Sequence, residues 1–328
     1  MLSIIWSALL LTYCNENADI NVYINENENS CDTCSIDSSV IADSRIIEYF
    51  DSIVDASINK EISSFSSINI GLVKNSNIIV TNSYGESNLN EPGVYASVSK
   101  PVTAVIVLKF LQEGLIKSLD DNIWEYSDYY IDCMPEEYSD SPLTIRHLLM
   151  HQSGLIHSRD ETWVDGKLNL LFEPGTGYNY TTGGYAILGD VLAGAKGQDY
   201  EEILKEYIAE PIGATSFTTW EWWSAPGAGI YSTISEMAEF TVGLFENIYL
   251  DPNTFNMMFS PECMGWMCTY NFNGDIILYH PGSNGNEKAY IGINPRTKNS
   301  VVIQAKGGSL GIISGLTFNL LDALDRKS

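Results

Sequence analysis

Ser97-Val98-Ser99-Lys100-Pro101-Val102-Thr103-Ala104-Val105-Ile106-Val107-Leu108-Lys109-Phe110-Leu111-Gln112-Glu113 is the most apolar helical stretch of the chain. Val98, Val102, Val105, Ile106, Val107, Leu108, Phe110 and Leu111 occupy nearly every face, so a helix here is expected to be buried all round. Pro101 requires that helix to begin close to Ser97, because proline is tolerated only in a first turn. Gly114 supplies the end. The mouth of the helix carries Ser97 and Lys100 in an SxxK pattern. Side chains at i and i+3 share a helix face about 5–6 Å apart, which puts a lysine nitrogen beside a serine hydroxyl. A lysine stripped of water loses its proton readily and can take the serine's. The positive end of the helix favours the anion that develops there.

The pattern alone carries little, since Ser57-Ile58-Asn59-Lys60 repeats it. That copy lies on the exposed face of an amphipathic helix read from about Asp43, with Ile46, Ile47, Phe50, Ile53, Val54, Ile58 and Ile62 at helical spacing. Two strands follow, near Ile68–Lys74 and Ile78–Tyr84, joined by a turn at Asn75–Asn77. Residues 115–250 read as helices and long loops with little strand signal. Strands return at Asp275–His280, Lys288–Asn294 and Ser300–Ala305, and a helix over about Gly311–Leu324 closes the chain. Strands at both ends around a helical middle predict an α+β fold: an antiparallel sheet built from both chain ends, flanked by helices, with a mainly helical subdomain inserted. The organisation expected is a signal peptide over 1–14, a polar tether over 15–43 and one domain over 44–328. A cleft is expected between sheet and insertion.

The whole chain has 328 residues, with 17 Lys plus Arg against 42 Asp plus Glu, a formal net charge of -25. Such a surface repels phosphate backbones and excludes a nucleic-acid function. No apolar run reaches the ~20 residues of a membrane-spanning helix. The apolar run Leu2–Tyr13 has the length of a signal-peptide core, and Leu11-Thr12-Tyr13-Cys14 resembles a lipoprotein cleavage box. Export follows as an expectation, to a periplasmic, surface-anchored or secreted location, with Cys14 the candidate lipid anchor. Residues 15–43 are dominated by Asn, Glu, Asp and Ser and read as a solvated tether. Cys31 and Cys34 within them read as a local disulfide or two idle thiols, and Cys263 and Cys268 as a pair across a turn in an oxidising compartment.

Two further patterns invite chemistry. Gly307-Gly308-Ser309-Leu310-Gly311 is a GxSxG between a strand and a helix, but all four histidines precede Ser309. The order required by a nucleophile elbow fails, which leaves a glycine-rich turn. His147 and His151 stand at i, i+4, but Leu148 occupies the place of a catalytic Glu. Two hydrogen-bonded structural histidines are the better reading.

Further motifs stand in order. Ala96-Ser97-Val98-Ser99-Lys100-Pro101-Val102-Thr103-Ala104, with Gly114-Leu115 and Leu119-Asp120-Asp121, resembles the active-serine helix of the beta-lactamase-related serine hydrolases. That family includes class C beta-lactamases, low-molecular-weight penicillin-binding proteins and esterases. Leu143–Leu155, with Arg146-His147 and His151-Gln152-Ser153-Gly154-Leu155, is similar to its most recognisable segment. Pro174–Tyr185 resembles its second motif, Gly229–Thr233 its later Gly-Ser-Thr segment, and His280-Pro281-Gly282 stands where its third motif belongs. The resemblance runs from about residue 45 to the C-terminus. It implies that Ser97 attacks a carbonyl and forms an acyl-enzyme, that Lys100 takes its proton, and that Tyr180 shuttles protons as general acid and base, with a phenolate beside Lys100. It implies that His280 lines the far wall, and that the N–H groups of Ser97 and Ser283 form an oxyanion hole, worth ~3 kcal/mol per donor. It implies neither a metal nor a cofactor.

Two positions depart from the family. Thr182 stands where the second motif ends in Asn, so an amide is replaced by a hydroxyl. His280 stands where many relatives carry Lys, so a fixed positive charge for a substrate carboxylate is given up. Both departures favour an esterase or a broad peptidase acting on a small ester, amide or peptide. The alternatives are a D-alanyl-type carboxypeptidase or beta-lactamase and, from another class, a ligand-binding relative that has lost turnover.

Overall fold

Phe65–Lys74 (β1) is the strand that joins the two ends of the chain. It pairs antiparallel with Asn77–Gly85 (β2) on one side and with Asn299–Gly307 (β11) on the other. A computed structural model describes residues 48–49, 52–54, 64–157, 162–220, 224–259 and 262–326. Among them the main sheet runs β2-β1-β11-β10-β9-β8, with Met267–Tyr270 as β8, Ile276–Asn284 as β9 and Glu287–Asn294 as β10. The expected α+β fold, with its sheet shared by the termini, is what the chain forms. Asn75 and Ser76 both take positive φ, 48° and 63°, in the two-residue turn between β1 and β2. That is the primed geometry that matches strand twist.

Alternation sorts the strand residues into two cores. Ile68, Ile70, Leu72, Val301, Ile303 and Ala305 face one side and pack with Leu316, Leu320 and Leu324 of the C-terminal helix. Val73, Ile291, Ile293 and Val302 face the other side, toward the helical middle. That opposite core contains the helix read first in the sequence, Ser99–Glu113 (α1), buried along nearly its whole length and ended by Gly114 at φ 74°. Three further helices matter here: Ile145–Leu149 (α2), Thr182–Lys196 (α3) and Ile234–Phe245 (α4). The C-terminal helix is Leu310–Arg326 (α5).

The middle of the chain contains more strand than its sequence suggests. Gly93–Val94 (β3), Thr218–Thr219 (β6) and Ile230–Ser232 (β7) form a small sheet in the order β3-β7-β6. Trp163–Val164 (β4) pairs with Lys167–Leu168 (β5). Strands of two to four residues, β8 included, are too short to show an alternating pattern. The glycine-rich reading of residues 307–311 holds: Gly307 and Gly308 turn the chain from β11 into α5 at φ 87° and 62°. A Cβ on Gly308 would lie 2.0 Å from the Phe65 ring.

Cys263 and Cys268 are joined by a disulfide, and Cys133 is a buried free thiol. The signal-peptide and tether segments, with Cys14, Cys31 and Cys34, lie outside the described residues, as do Ser57 and Lys60. Among the described residues no helix is long and apolar enough to cross a membrane.

Candidate active site

Ala96–Val98 forms a single 3-10 turn ahead of α1, and Ala96 enters it at φ 45°. A non-glycine residue rarely adopts that conformation, and such strain gathers where a side chain must be aimed. The Ser99 hydroxyl locks the turn, donating to the Ala96 carbonyl (2.7 Å) and accepting from the Ile230 N–H of β7 (3.0 Å). Ser97 is thereby held half-buried at the mouth of α1, while Lys100 is fully buried one turn on.

The Lys100 Nζ lies 3.2 Å from Ser97 Oγ and 3.2 Å from Thr182 Oγ1, and it donates to the Gly227 carbonyl at 2.7 Å. The nitrogen is also 4.7 Å from the centroid of the Tyr180 ring and 5.5 Å from that of Tyr185. Among the described residues no carboxylate forms an ion pair with it. Burial therefore lowers its pKa from 10.5 to about 7. An uncharged amine that spends its hydrogens on Gly227 O and Thr182 Oγ1 turns its lone pair to Ser97. Thr182, at the first position of α3, thus keeps by a hydroxyl the lysine contact that an Asn amide would make. Gly227 allows this approach, because a Cβ there would meet Thr182 Cγ2 at 2.8 Å.

Tyr180 lines the same cleft as Ser97. Burial pushes its phenol up to about 12, outweighing the opposing pull of Ser97. The phenolate implied by the family resemblance is therefore not favoured at neutral pH. Lys100, whose pKa burial lowers to about 7, carries only part of a charge at neutral pH and does not offset that burial. The backbone of Tyr180 is pinned by its neighbours: the His157 ring donates from Nδ1 to the Tyr180 carbonyl (2.8 Å), and the Thr181 N–H donates to His151 Nδ1 (3.2 Å). His151 and His147 are the structural histidines expected, the latter closing a capping box with Thr144 at the start of α2.

The third motif is placed differently from expectation. Ser97, Tyr180 and Thr182 open on a cleft of about 460 Å³ whose other walls include Trp220, Met267, Pro281 and Ser283. His280 is not among its lining residues; it is 2% exposed and faces a hollow of about 70 Å³ behind Tyr180, with His151. The alternation of β9 explains this, since Pro281 and Ser283 share one face and His280 and Gly282 the other. Burial, then the Lys100 charge, pulls His280 down to about 3, so its ring is neutral. Gly282 has a steric role: a Cβ would sit 2.3 Å from the Tyr95 carbonyl. Its absence lets β9 close on the Ser97 turn and brings Ser283 to the cleft. The Gly227 carbonyl, the Ser99 lock and His157 were not singled out from sequence. A backbone acceptor leaves no mark in side-chain identity, and His157 belongs to no spaced pattern.

A Beta-lactamase family profile matches residues 56–310. The chain belongs to the beta-lactamase family. Beta-lactamase-like protein 4 of Dictyostelium discoideum is 24% identical over 291 residues, covering 65% of this chain and 51% of that protein. The D-alanyl-D-alanine-carboxypeptidase/endopeptidase AmpH of Escherichia coli K12 is 27% identical over 139 residues, 38% of this chain and 35% of AmpH. The chain thus spans about half or less of these relatives. Among solved structures, the octameric penicillin-binding protein homologue from Pyrococcus abyssi superposes with a TM-score of 0.67 at 20% identity, covering 80% of this chain and 74% of that one. EstCE1, described as a hydrolase with promiscuous acyltransferase activity, gives 0.70 at 15% identity, covering 85% and 99%. The relatives and structural neighbours of the chain thus include a D-alanyl-D-alanine-carboxypeptidase/endopeptidase and a hydrolase with acyltransferase activity.

Proposed function

We propose that this protein is a serine hydrolase that cleaves a small, uncharged ester or amide through an acyl-enzyme on Ser97. The observation that carries the reading is the fully buried Lys100, with its nitrogen 3.2 Å from Ser97 Oγ and its pKa brought down to about 7. Lys100 takes the Ser97 proton as Oγ bonds to the carbonyl carbon. The carbonyl oxygen becomes an oxyanion, received by the N–H groups of Ser97 and Ser283. As the intermediate collapses, the leaving alkoxide or amine takes a proton from the Tyr180 phenol, which burial keeps protonated at neutral pH. Lys100 returns its proton to the Tyr180 phenolate by way of a water in the cleft, since the acylated Ser97 oxygen has no proton to relay. Water then attacks the acyl carbon, loses a proton to the same groups, and frees Ser97.

The lining of the cleft supports an uncharged substrate. Among its described residues none is Lys or Arg, and His280 is neutral and turned away. A substrate carboxylate would find no permanent cation there, against a molecular charge of -25. Trp220, Met267, Pro281 and Leu310 instead offer apolar surface to an acyl group. A D-alanyl-type carboxypeptidase or beta-lactamase, whose substrates carry that carboxylate, is the less supported alternative. Export, and anchoring at Cys14, remain part of the proposal.

Steady-state comparison of a short-chain aryl ester with a chromogenic cephalosporin tests the substrate class. The expected result is a kcat/KM for the ester at least about 100-fold higher, the discrimination of ~3 kcal/mol that one missing charge contact in a desolvated site can give. Preference for the cephalosporin would contradict it.

A further inference from the structure

A second hollow, larger than the cleft, lies away from Ser97. A groove of about 1170 Å³ runs along α3, against the cleft's 460 Å³. Gly183, Ala186, Ile187 and Asp190 recur along its floor at helical spacing, so one stripe of α3 faces it. Small residues at Gly183 and Ala186 give it depth. The groove starts one residue beyond Thr182 and reaches Pro226, one residue before Gly227, yet it shares no lining residue with the cleft.

Three aromatic rings form one wall. Tyr129 stands edge-on to both Tyr130 and Trp163, at 5.1 and 5.5 Å between centroids, and Tyr130 stacks with Trp163 at 6.1 Å. Tyr129 is 72% exposed, and Ile131 and Val164 beside this cluster are 49% and 52% exposed. Large apolar side chains so open to water, next to a concave surface, mark a binding place. The charge lining the groove is of one sign: Asp128, Asp190, Asp199 and Glu201 are present, and among the described lining residues none is basic. Asp190 accepts the Tyr130 hydroxyl on Oδ2 at 2.5 Å, and its Oδ1 receives no hydrogen bond from a described residue. A carboxylate beside clustered ring faces suits an organic cation, whose charge is drawn to both.

We propose that this groove binds an organic cation with an apolar body, an ammonium head on an aryl or alkyl group. The head sits between Asp190 and the Tyr129, Tyr130 and Trp163 rings, and the apolar part lies along α3. The site is separate from the acyl-transfer cleft, so its existence does not depend on the activity of Ser97.

Titration of the full chain with benzyltrimethylammonium, N-benzylacetamide and phenylacetate, followed by calorimetry and tryptophan fluorescence, tests this. The three probes share a benzyl group and differ in charge. The cation is expected to bind saturably at one site, the neutral amide at least about tenfold more weakly, and the anion not at all up to about 10 mM. Asp190→Asn and Tyr129→Ala should each weaken the cation by about fivefold or more, the loss of one partly exposed contact. Both variants should leave the rate of Ser97 labelling by a fluorophosphonate unchanged. Should Asp190→Asn fold poorly, Tyr129→Ala carries the test, because its ring is exposed. Equal binding of the three probes, no binding of the cation, unchanged affinity in the variants, or protection of Ser97 by the cation would overturn the proposal.

Discussion

At the scale of single residues, Lys100 exchanges stability for reactivity. Its ammonium is an ordinary 10.5 in the unfolded chain and about 7 in the fold. The unfolded state therefore binds more protons between those values, and stability rises with pH across that window. Below about pH 7 the penalty is complete, of order 5 kcal/mol by the pKa difference; above about 10.5 it is gone. Lys100→Met, which keeps the length and removes the amine, should raise the urea midpoint at pH 7. The gain over the parent should shrink as pH rises toward 10. A gain independent of pH, or a loss at pH 7, would mean that burial does not lower the Lys100 pKa. The Ser97–Lys100 pairing was legible because burial of α1 can be read from its apolar run. The Tyr180 phenol was misjudged because its protonation depends on the water excluded from the site, which no sequence spacing reports.

At the scale of elements, the site depends on how closely β9 approaches the turn before α1. Gly282 faces the Tyr95 carbonyl with no room for a methyl group. Gly282→Ala must push β9 outward and carry Ser283 from the cleft. A displacement near 1 Å at a group that receives developing charge costs about 100-fold in kcat. The variant should therefore lose kcat on an aryl ester by that order while its circular dichroism remains that of a folded protein; full activity would mean that Ser283 takes no part. The long strands β1, β2, β9, β10 and β11 were legible from branched residues and alternation. The face taken by His280 was not, although it follows from the same alternation once the register of β9 is known: Pro281↔Tyr290 and His280↔Ile291 set it.

At the scale of the molecule, one buried carboxylate ties the C-terminal helix to the main sheet. Asp325 of α5 is 8% exposed and accepts from Thr297 Oγ1 (2.7 Å), Asn299 Nδ2 (2.8 Å), Asn294 Nδ2 (2.8 Å) and Asn271 Nδ2 (3.2 Å). Asp325→Ala would take the acceptor from four donors between α5 and the sheet, of which Asn271 and Asn294 keep a bond to Asp275. It should cost about 3 kcal/mol or more in urea denaturation; a loss under about 0.5 kcal/mol would mean that water replaces the carboxylate at no cost. The α+β architecture was readable from the strand-rich ends, whereas this tie joins residues distant in sequence and left no motif. Hydrolysis by this fold depends on Ser97 being the group that captures acyl donors. The most direct test is to react the full chain with a fluorophosphonate across pH 5 to 9, map the adduct by peptide mass spectrometry, and follow its rate. The adduct should fall on Ser97, with a rate that climbs through about pH 7 and then levels as Lys100 loses its proton. An adduct on another residue, or a rate on Ser97 that does not change over that range, would contradict the mechanism.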